Sequence, residues 1–219
     1  MSGRRHLGVL ALVLGLGVLI TCWRLGSTGV VDETPPLFAA AGRAMTETGD
    51  WLTPRVNGLP RFDKPPLVYW LMALGYSLPG QMVWDPLGSW SARLPSALSS
   101  VAVMLLLADT LLRWPQANRC HPAAAALTAA LSFGLSPLVL VWSRTAVSDA
   151  LLCGLLSLSL MLLWRRFASP DRHRWWPAWL VLGLAVLAKG PVAVVLTGLT
   201  LLLFGALRRD LATPWRRLR

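Results

Sequence analysis

A chain of 219 residues that is 55% hydrophobic and only 14% charged has too little charge for one water-soluble domain, in which about a quarter of residues are charged. A formal net charge of +11 would suit nucleic acid if it covered a polar surface. Here the cations stand in short clusters between long uncharged stretches, so nucleic acid is not an expected partner and a bilayer is.

The first apolar segment, Leu7 to Trp23, follows Arg4, Arg5 and His6. It is long for a cleaved signal, no small-x-small cleavage site follows, and Thr21 precedes Cys22 where a lipoprotein signal wants a smaller residue. A first span over residues 7–24 with its N-terminus inside is expected. Residues 25–90 contain no convincing span and hold six of the ten acidic residues, which marks a long outer loop. Within it Thr34 can cap a helix with Pro35 at its first position, Leu37, Ala41, Ala44 and Met45 share one face, and Gly49 can end it. Such a helix is expected on the membrane surface. Pro66 to Leu78 is too short to span comfortably and is expected to lie at the interface or to dip in.

Further spans are expected near Leu94 to Leu112, Pro122 to Trp142, Ala150 to Trp164, Trp175 to Leu187 and Pro191 to Leu207, with Trp23, Trp114, Trp142, Trp164 and Trp175 at their ends. Residues 208–219 form a basic tail. Six crossings put Arg4, Arg5, Arg113, Arg119, Arg165, Arg166, Arg172, Arg174, Arg208, Arg209, Arg216, Arg217 and Arg219 on one side, as the positive-inside rule requires. The expected fold is therefore an all-α integral membrane domain of about six transmembrane helices over residues 1–219, with short interfacial helices in its outer loop. Cys22, Cys120 and Cys153 sit in or beside different apolar segments and suggest neither a disulfide framework nor a metal motif.

With this topology the reactive side chains gather on the outer face. Asp32 and Glu33 stand at the start of the surface helix, where the helix dipole favours an ionised carboxylate. They either cap that helix or serve as a base or cation ligand. Lys64 precedes Pro65 and Pro66, which force extended geometry and a stiff backbone. It either pairs with Asp63 or, with Arg55 and Arg61, meets a lipid phosphate. Arg144 and Asp149 bracket the turn into the fourth span, where Ser148 with Asp149 suits an N-cap. Lys189 has no acidic neighbour in sequence and either snorkels or faces a polar cavity. Asp109, one turn before Arg113, is expected to form an intrahelical pair.

The order of Asp32-Glu33, Gly49-Asp50-Trp51-Leu52-Thr53-Pro54, Asn57-Gly58 and Asp63-Lys64-Pro65-Pro66-Leu67 with Tyr69-Trp70-Leu71 resembles the first outer loop of GT-C class membrane glycosyltransferases. Arg93-Leu94-Pro95-Ser96-Ala97-Leu98, Arg144 through Asp149 and Ala188-Lys189-Gly190-Pro191 continue the resemblance, which is greatest toward the protein mannosyltransferases and the lipid A aminoarabinose transferases. The resemblance implies transfer of a sugar from a polyprenyl-phosphate-linked donor to a lipid, glycan or protein acceptor. It places the reaction on the outer face of a bacterial inner membrane.

By the same resemblance Asp32 is the catalytic carboxylate supported by Glu33, and Asp149 matches a second acidic position. Lys64 is the donor-phosphate ligand, with Arg55, Arg144 and Lys189 as further cations. Asp63 stands where relatives carry a Glu that can meet a divalent metal ion, the one cofactor the resemblance suggests. The chain departs from the pattern at Thr34-Pro35-Pro36, where relatives often have an aromatic, and in being shorter than these enzymes usually are, so an incomplete C-terminus is expected. The competing readings are a flippase or transporter for a lipid-linked sugar and a non-catalytic subunit. A transporter is expected to carry ionisable groups at mid-membrane and repeated halves, whereas the charges here stand at helix ends and no repeat is evident.

Overall fold

Each apolar segment of the described sequence is helical, and prolines and glycines set many of the boundaries. The computed structural model describes residues 3–27, 34–78, 90–114, 121–170 and 173–210. Helices α1 (Gly3–Cys22), α4 (Trp90–Arg113) and α7 (Ser148–Ala168) have 20, 24 and 21 residues. At about 1.5 Å per residue each reaches the roughly 30 Å of a hydrocarbon core. Among the described residues these three are long and apolar enough to cross a membrane.

The other expected spans are shorter. Residues 122–142 form two helices, α5 (Pro122–Gly134) and α6 (Pro137–Trp142). Pro137 has no amide hydrogen to extend the α5 ladder, so the helix stops and restarts with proline at its first position. Helices α8 (Trp176–Lys189) and α9 (Val192–Leu207) have 14 and 16 residues. The expected six spans thus resolve into three full-length helices and three shorter or interrupted apolar segments.

Helix α4 is the centre, packed against α1, α5 and α7, while α7 also lies along α8. In lipid there is little hydrophobic drive to bring helices together, so small residues and interhelical hydrogen bonds matter more. Ser96 Oγ donates to the Val147 carbonyl at 3.2 Å, and Ser99 Oγ donates to Ala150 O at 2.9 Å. Gly154 permits the approach, since a Cβ there would lie 2.7 Å from Ser99 Cβ. Leu12, Leu14 and Leu19 on α1 and Val195, Leu199, Leu202 and Leu203 on α9 are exposed. Such apolar surface is costly in water and natural against acyl chains.

The outer loop is a packed module. Helix α2 (Thr34–Thr48) ends before Gly49, whose φ of 73° supplies the left-handed stop. A two-stranded hairpin follows, β1 (Arg55–Val56) against β2 (Leu59–Pro60), turned by Asn57 and Gly58 with φ of 51° and 79°. Positive φ at both turn residues matches the right-handed strand twist, and Asn-Gly is the pair that adopts it most easily. Helix α3 (Leu67–Tyr76) completes the loop.

Helix α2 is more enclosed than the surface-lying helix expected from the sequence, and α3, expected at the interface or dipping in, is packed inside protein. Ala41 and Met45 of the expected α2 face are buried, but so are Phe38, Ala39 and Gly42. Val68, Tyr69, Met72 and Ala73 of α3 are fully enclosed. They form one core with Ala92, Ala146, Leu151 and Ala188 at the ends of the long helices. Small side chains explain this, because a Cβ on Gly42 would lie 2.8 Å from Met72 Cβ, so α2 and α3 close onto each other with protein rather than lipid against their apolar sides.

At the opposite end Asp109 does more than pair with Arg113 at 2.8 Å. His6 Nε2 of α1 lies 2.9 Å away and Arg165 Nη2 of α7 lies 2.6 Å away. One carboxylate therefore ties three helices together on the side where the arginine clusters gather, and Lys189, Asp149 and Arg93 stand at the other ends of their helices, with Arg144 in the turn after α6.

Candidate active site

The strongest juxtaposition on the outer side joins residues that are 40 apart in sequence. Asp149 lies in the first turn of α7 and Lys189 in the last turn of α8, and the two form an ion pair between carboxylate Oδ1 and Nζ. Each charge complements the dipole of its own helix. Ser148 and Asp149 lie inside the helix, which begins after Val147, and neither makes the expected N-cap hydrogen bond. Lys189 therefore meets a carboxylate that no sequence neighbour announced.

The loop carrying Lys64 closes on the same place. Gly190 turns the chain with φ of 84°, and a Cβ built on it would lie 4.0 Å from Pro65 Cγ. The chain segments that carry Lys64 and Lys189 therefore approach each other at Pro65 and Gly190, and Lys189 is the residue paired with Asp149. Lys64 is half-buried and makes no hydrogen bond or ion pair among the described residues.

Asp63 points into a different network. Its Oδ2 accepts from Arg61 Nη2 at 2.6 Å, and its Oδ1 accepts from the Tyr69 hydroxyl at 3.1 Å. The alternative of an Asp63–Lys64 pair is thus replaced by Arg61 and Tyr69. Burial pushes the Tyr69 phenol up to about 12, with the Asp63 carboxylate adding to the shift and Arg61 opposing it. Both Asp63 oxygens are engaged, and among the described residues no three of His, Cys, Asp and Glu gather as a metal cluster. No step below is routed through a divalent ion.

Two other expected cations are occupied by backbone or nearby acid. Arg55 Nη1 donates to Gly58 O at 3.4 Å, and its Nε lies 3.8 Å from Asp50 Oδ2. Asp50 is itself held by amide hydrogens of Thr53 and Leu52, both at 3.1 Å, and the Thr53 amide is the main cause of a lowered carboxyl pKa. Arg144 donates to Trp23 O at 2.7 Å and to Ile20 O and Arg24 O at 3.4 Å. These carbonyls end α1, where helical partners run out. Asp32 and Glu33 lie outside the described residues.

Sequence reasoning missed two members of this region. Arg93 is buried and donates to Leu25 O at 2.6 Å, joining Arg144 at the end of α1. Tyr69 is completely enclosed, and the signal was available, because a tyrosine inside an apolar helix needs a partner for its hydroxyl.

The outer side thus holds the Asp149–Lys189 ion pair, with the loop that carries Lys64 approaching through Pro65. Known proteins share the frame. The sequence profile of the dolichyl-phosphate-mannose-protein mannosyltransferase family matches residues 63–218. The undecaprenyl phosphate-alpha-4-amino-4-deoxy-L-arabinose arabinosyl transferase of Pseudomonas aeruginosa strain LESB58 is 31% identical over 222 residues, covering 100% of this chain and 37% of that protein. An uncharacterized protein of Aquifex aeolicus is 32% identical over 193 residues, covering 88% of this chain and 41% of its own length.

The crystal structure of ArnT from Cupriavidus metallidurans bound to undecaprenyl phosphate superposes with a TM-score of 0.81 at 29% identity, over 97% of this chain and 38% of that one. The apo structure of the same protein gives 0.80. The chain spans about two fifths of the length of these relatives. Matched by the family profile over more than half its length, the chain belongs to the dolichyl-phosphate-mannose-protein mannosyltransferase family, a family of GT-C class multi-spanning membrane glycosyltransferases.

Proposed function

We propose that this chain takes part in transfer of a sugar from a polyprenyl-phosphate-linked donor, with undecaprenyl phosphate as the carrier, to a lipid acceptor on the outer face of a bacterial inner membrane. The observation that carries the reading is the approach of Pro65, next to Lys64, to Gly190, next to the Lys189 that pairs with Asp149. Two lysines held on rigid elements suit a phosphate. The similarity to a transferase named for an undecaprenyl phosphate sugar, and to a structure bound to undecaprenyl phosphate, supports the choice of donor.

In this reading an acceptor hydroxyl attacks the anomeric carbon, its proton passes to a carboxylate, and the bond from that carbon to the phosphate oxygen breaks. The departing polyprenyl phosphate gains negative charge, which fixed cations stabilise more in the transition state than in the ground state. Lys64 is the phosphate ligand and Lys189 supports it, with Asp149 holding Lys189 in place. Asp32, with Glu33 beside it, is the general base. Arg55 and Arg144 act from further out, Arg144 by fixing the end of the helix that leads to Asp32.

Labelled sugar transfer in membranes holding wild type, Asp32→Asn and Lys64→Ala at equal protein levels tests this, together with binding of fluorescent undecaprenyl phosphate to each purified chain. The expected result is loss of transfer in both variants and weakened carrier binding in Lys64→Ala alone. Unchanged transfer in both variants, or carrier binding indifferent to Lys64, would overturn the assignment.

A further inference from the structure

On the side of the membrane opposite the candidate active site, α7 and α9 leave an apolar groove of about 130 Å³ lined by Leu160, Leu163, Trp164, Phe167, Leu201 and Phe204. Trp164 lies about 22 Å along α7 from Asp149, from the helical rise, so the groove is separate from the outer site. Its walls are aromatic. Phe204 meets Phe167 edge-on at 5.2 Å and Trp164 edge-on at 6.5 Å.

The groove has a cationic end. The Arg208 guanidinium lies over the Phe167 ring at 5.2 Å and over the Phe204 ring at 5.7 Å, the two rings that also line the groove. A guanidinium on a ring face keeps its N–H edge free for an anion. Among the described residues neither Arg208 nor Arg209 has a side-chain hydrogen bond or ion pair. Arg166 is already engaged by the carbonyls of Pro170 and His173. The two arginines outnumber the adjacent Asp210.

A hydrocarbon slot with Arg208 at its end and Arg209 next to it in sequence, neither in an ion pair among the described residues, matches a lipid with an acyl chain and an anionic phosphodiester. A zwitterionic headgroup gains less, because its own cation opposes the arginines, and each cation near the surface favours anionic lipid by about fivefold in affinity. We propose that this groove binds one anionic glycerophospholipid of the cytoplasmic leaflet, an acyl chain lying against Trp164 and Phe204 and the phosphate at Arg208 and Arg209.

Trp164 lines the site and reports on it. The full chain is reconstituted into phosphatidylcholine nanodiscs doped with an equal small fraction of phosphatidylglycerol or phosphatidylcholine brominated on the acyl chain. The Trp164 signal is taken as the difference between wild type and Trp164→Phe. Brominated phosphatidylglycerol is expected to quench it several-fold more effectively than brominated phosphatidylcholine, and Arg208→Gln with Arg209→Gln is expected to remove the difference. Arg4→Gln with Arg5→Gln, which removes two cations from the same side at α1, is expected to leave it unchanged. Equal quenching by both lipids in wild type, no quenching by either because protein covers the groove, or equal sensitivity to the Arg4 and Arg5 changes would each overturn the proposal.

Discussion

Lys189 reaches Asp149 from the last turn of α8 to the first turn of α7, closing an ion pair at the outer end of the helix pair. The two side chains are 30% and 43% exposed, so the pair contributes about 1 kcal/mol or less to stability. Lys189→Met and Asp149→Asn are therefore expected to shift thermal unfolding in detergent only slightly while lowering sugar transfer by about 100-fold. The charge-swapped double variant Asp149→Lys, Lys189→Asp sets both charges against their helix dipoles and is expected to restore neither the unfolding midpoint nor the activity. Activity retained in Lys189→Met and Asp149→Asn would make the pair a structural clamp.

Arg93 and Arg144 hold the carbonyls that end α1, at Leu25 for the first and at Ile20, Trp23 and Arg24 for the second. Arg93 is only 5% exposed. Arg93→Gln leaves a buried carbonyl without its charged donor and is expected to cost about 1–3 kcal/mol. Arg144→Gln, which is nearer solvent, is expected to cost less. Thermal unfolding midpoints of the two variants test the order.

Tyr69 donates to Asp63 from a completely enclosed position, and burial is the main reason its phenol is pushed up to about 12. The protonated form is thus favoured in the folded chain. Below about pH 10 the phenol is neutral in both folded and unfolded chains. As pH rises from about 10 toward 12 the unfolded chain loses the proton while the folded chain keeps it, so stability falls with pH across that window. Tyrosinate absorbance of the folded protein is expected to show Tyr69 titrating late. Tyr69→Phe is expected to abolish that late step and to flatten the alkaline loss of stability.

Asp109 is shared by His6, Arg113 and Arg165 from three helices, and its side chain is largely enclosed. Asp109→Asn leaves Arg165 without its carboxylate in a low-dielectric setting, at an expected cost of about 3 kcal/mol. The variant is expected to unfold earlier and to lose the tie between α1 and the bundle, which is measurable as faster proteolysis near the N-terminus.

Gly154 lets α4 and α7 approach, and a Cβ there would lie 2.7 Å from Ser99 Cβ and 3.2 Å from Ser99 O. Gly154→Val is expected to push the helices apart, break the Ser99 to Ala150 hydrogen bond and destabilise the chain by about 1–3 kcal/mol. Gly183→Val, a glycine with open space around it, serves as the comparison and is expected to have a much smaller effect.

Much of the helical layout was legible because the signals are local. Leu7 to Trp23 and Leu94 to Leu112 are uninterrupted apolar runs, and hydrocarbon leaves the backbone of such a run no alternative to helix. Thr34-Pro35 and Gly49 marked α2 by conformational preferences that act within a few residues, and the order of short motifs carried the family resemblance. The Asn57-Gly58 turn is an equally local signal, since Asn-Gly favours the positive φ values that the hairpin needs.

What local reading could not supply were the pairings. Nothing near Lys189 in sequence points to Asp149, and nothing in Asp63-Lys64 says that the acid turns to Arg61 and Tyr69 while the lysine loop turns to Gly190. Those choices depend on how closely helices approach, which small residues such as Gly42 and Gly154 permit and the rest of the packing decides. The sequence by itself determined which segments are helical and which residues carry charge at their ends. Only the tertiary structure decided which charges meet, because an ion pair depends on separation in space, and separations of a few ångströms arise from contacts between segments far apart in the chain.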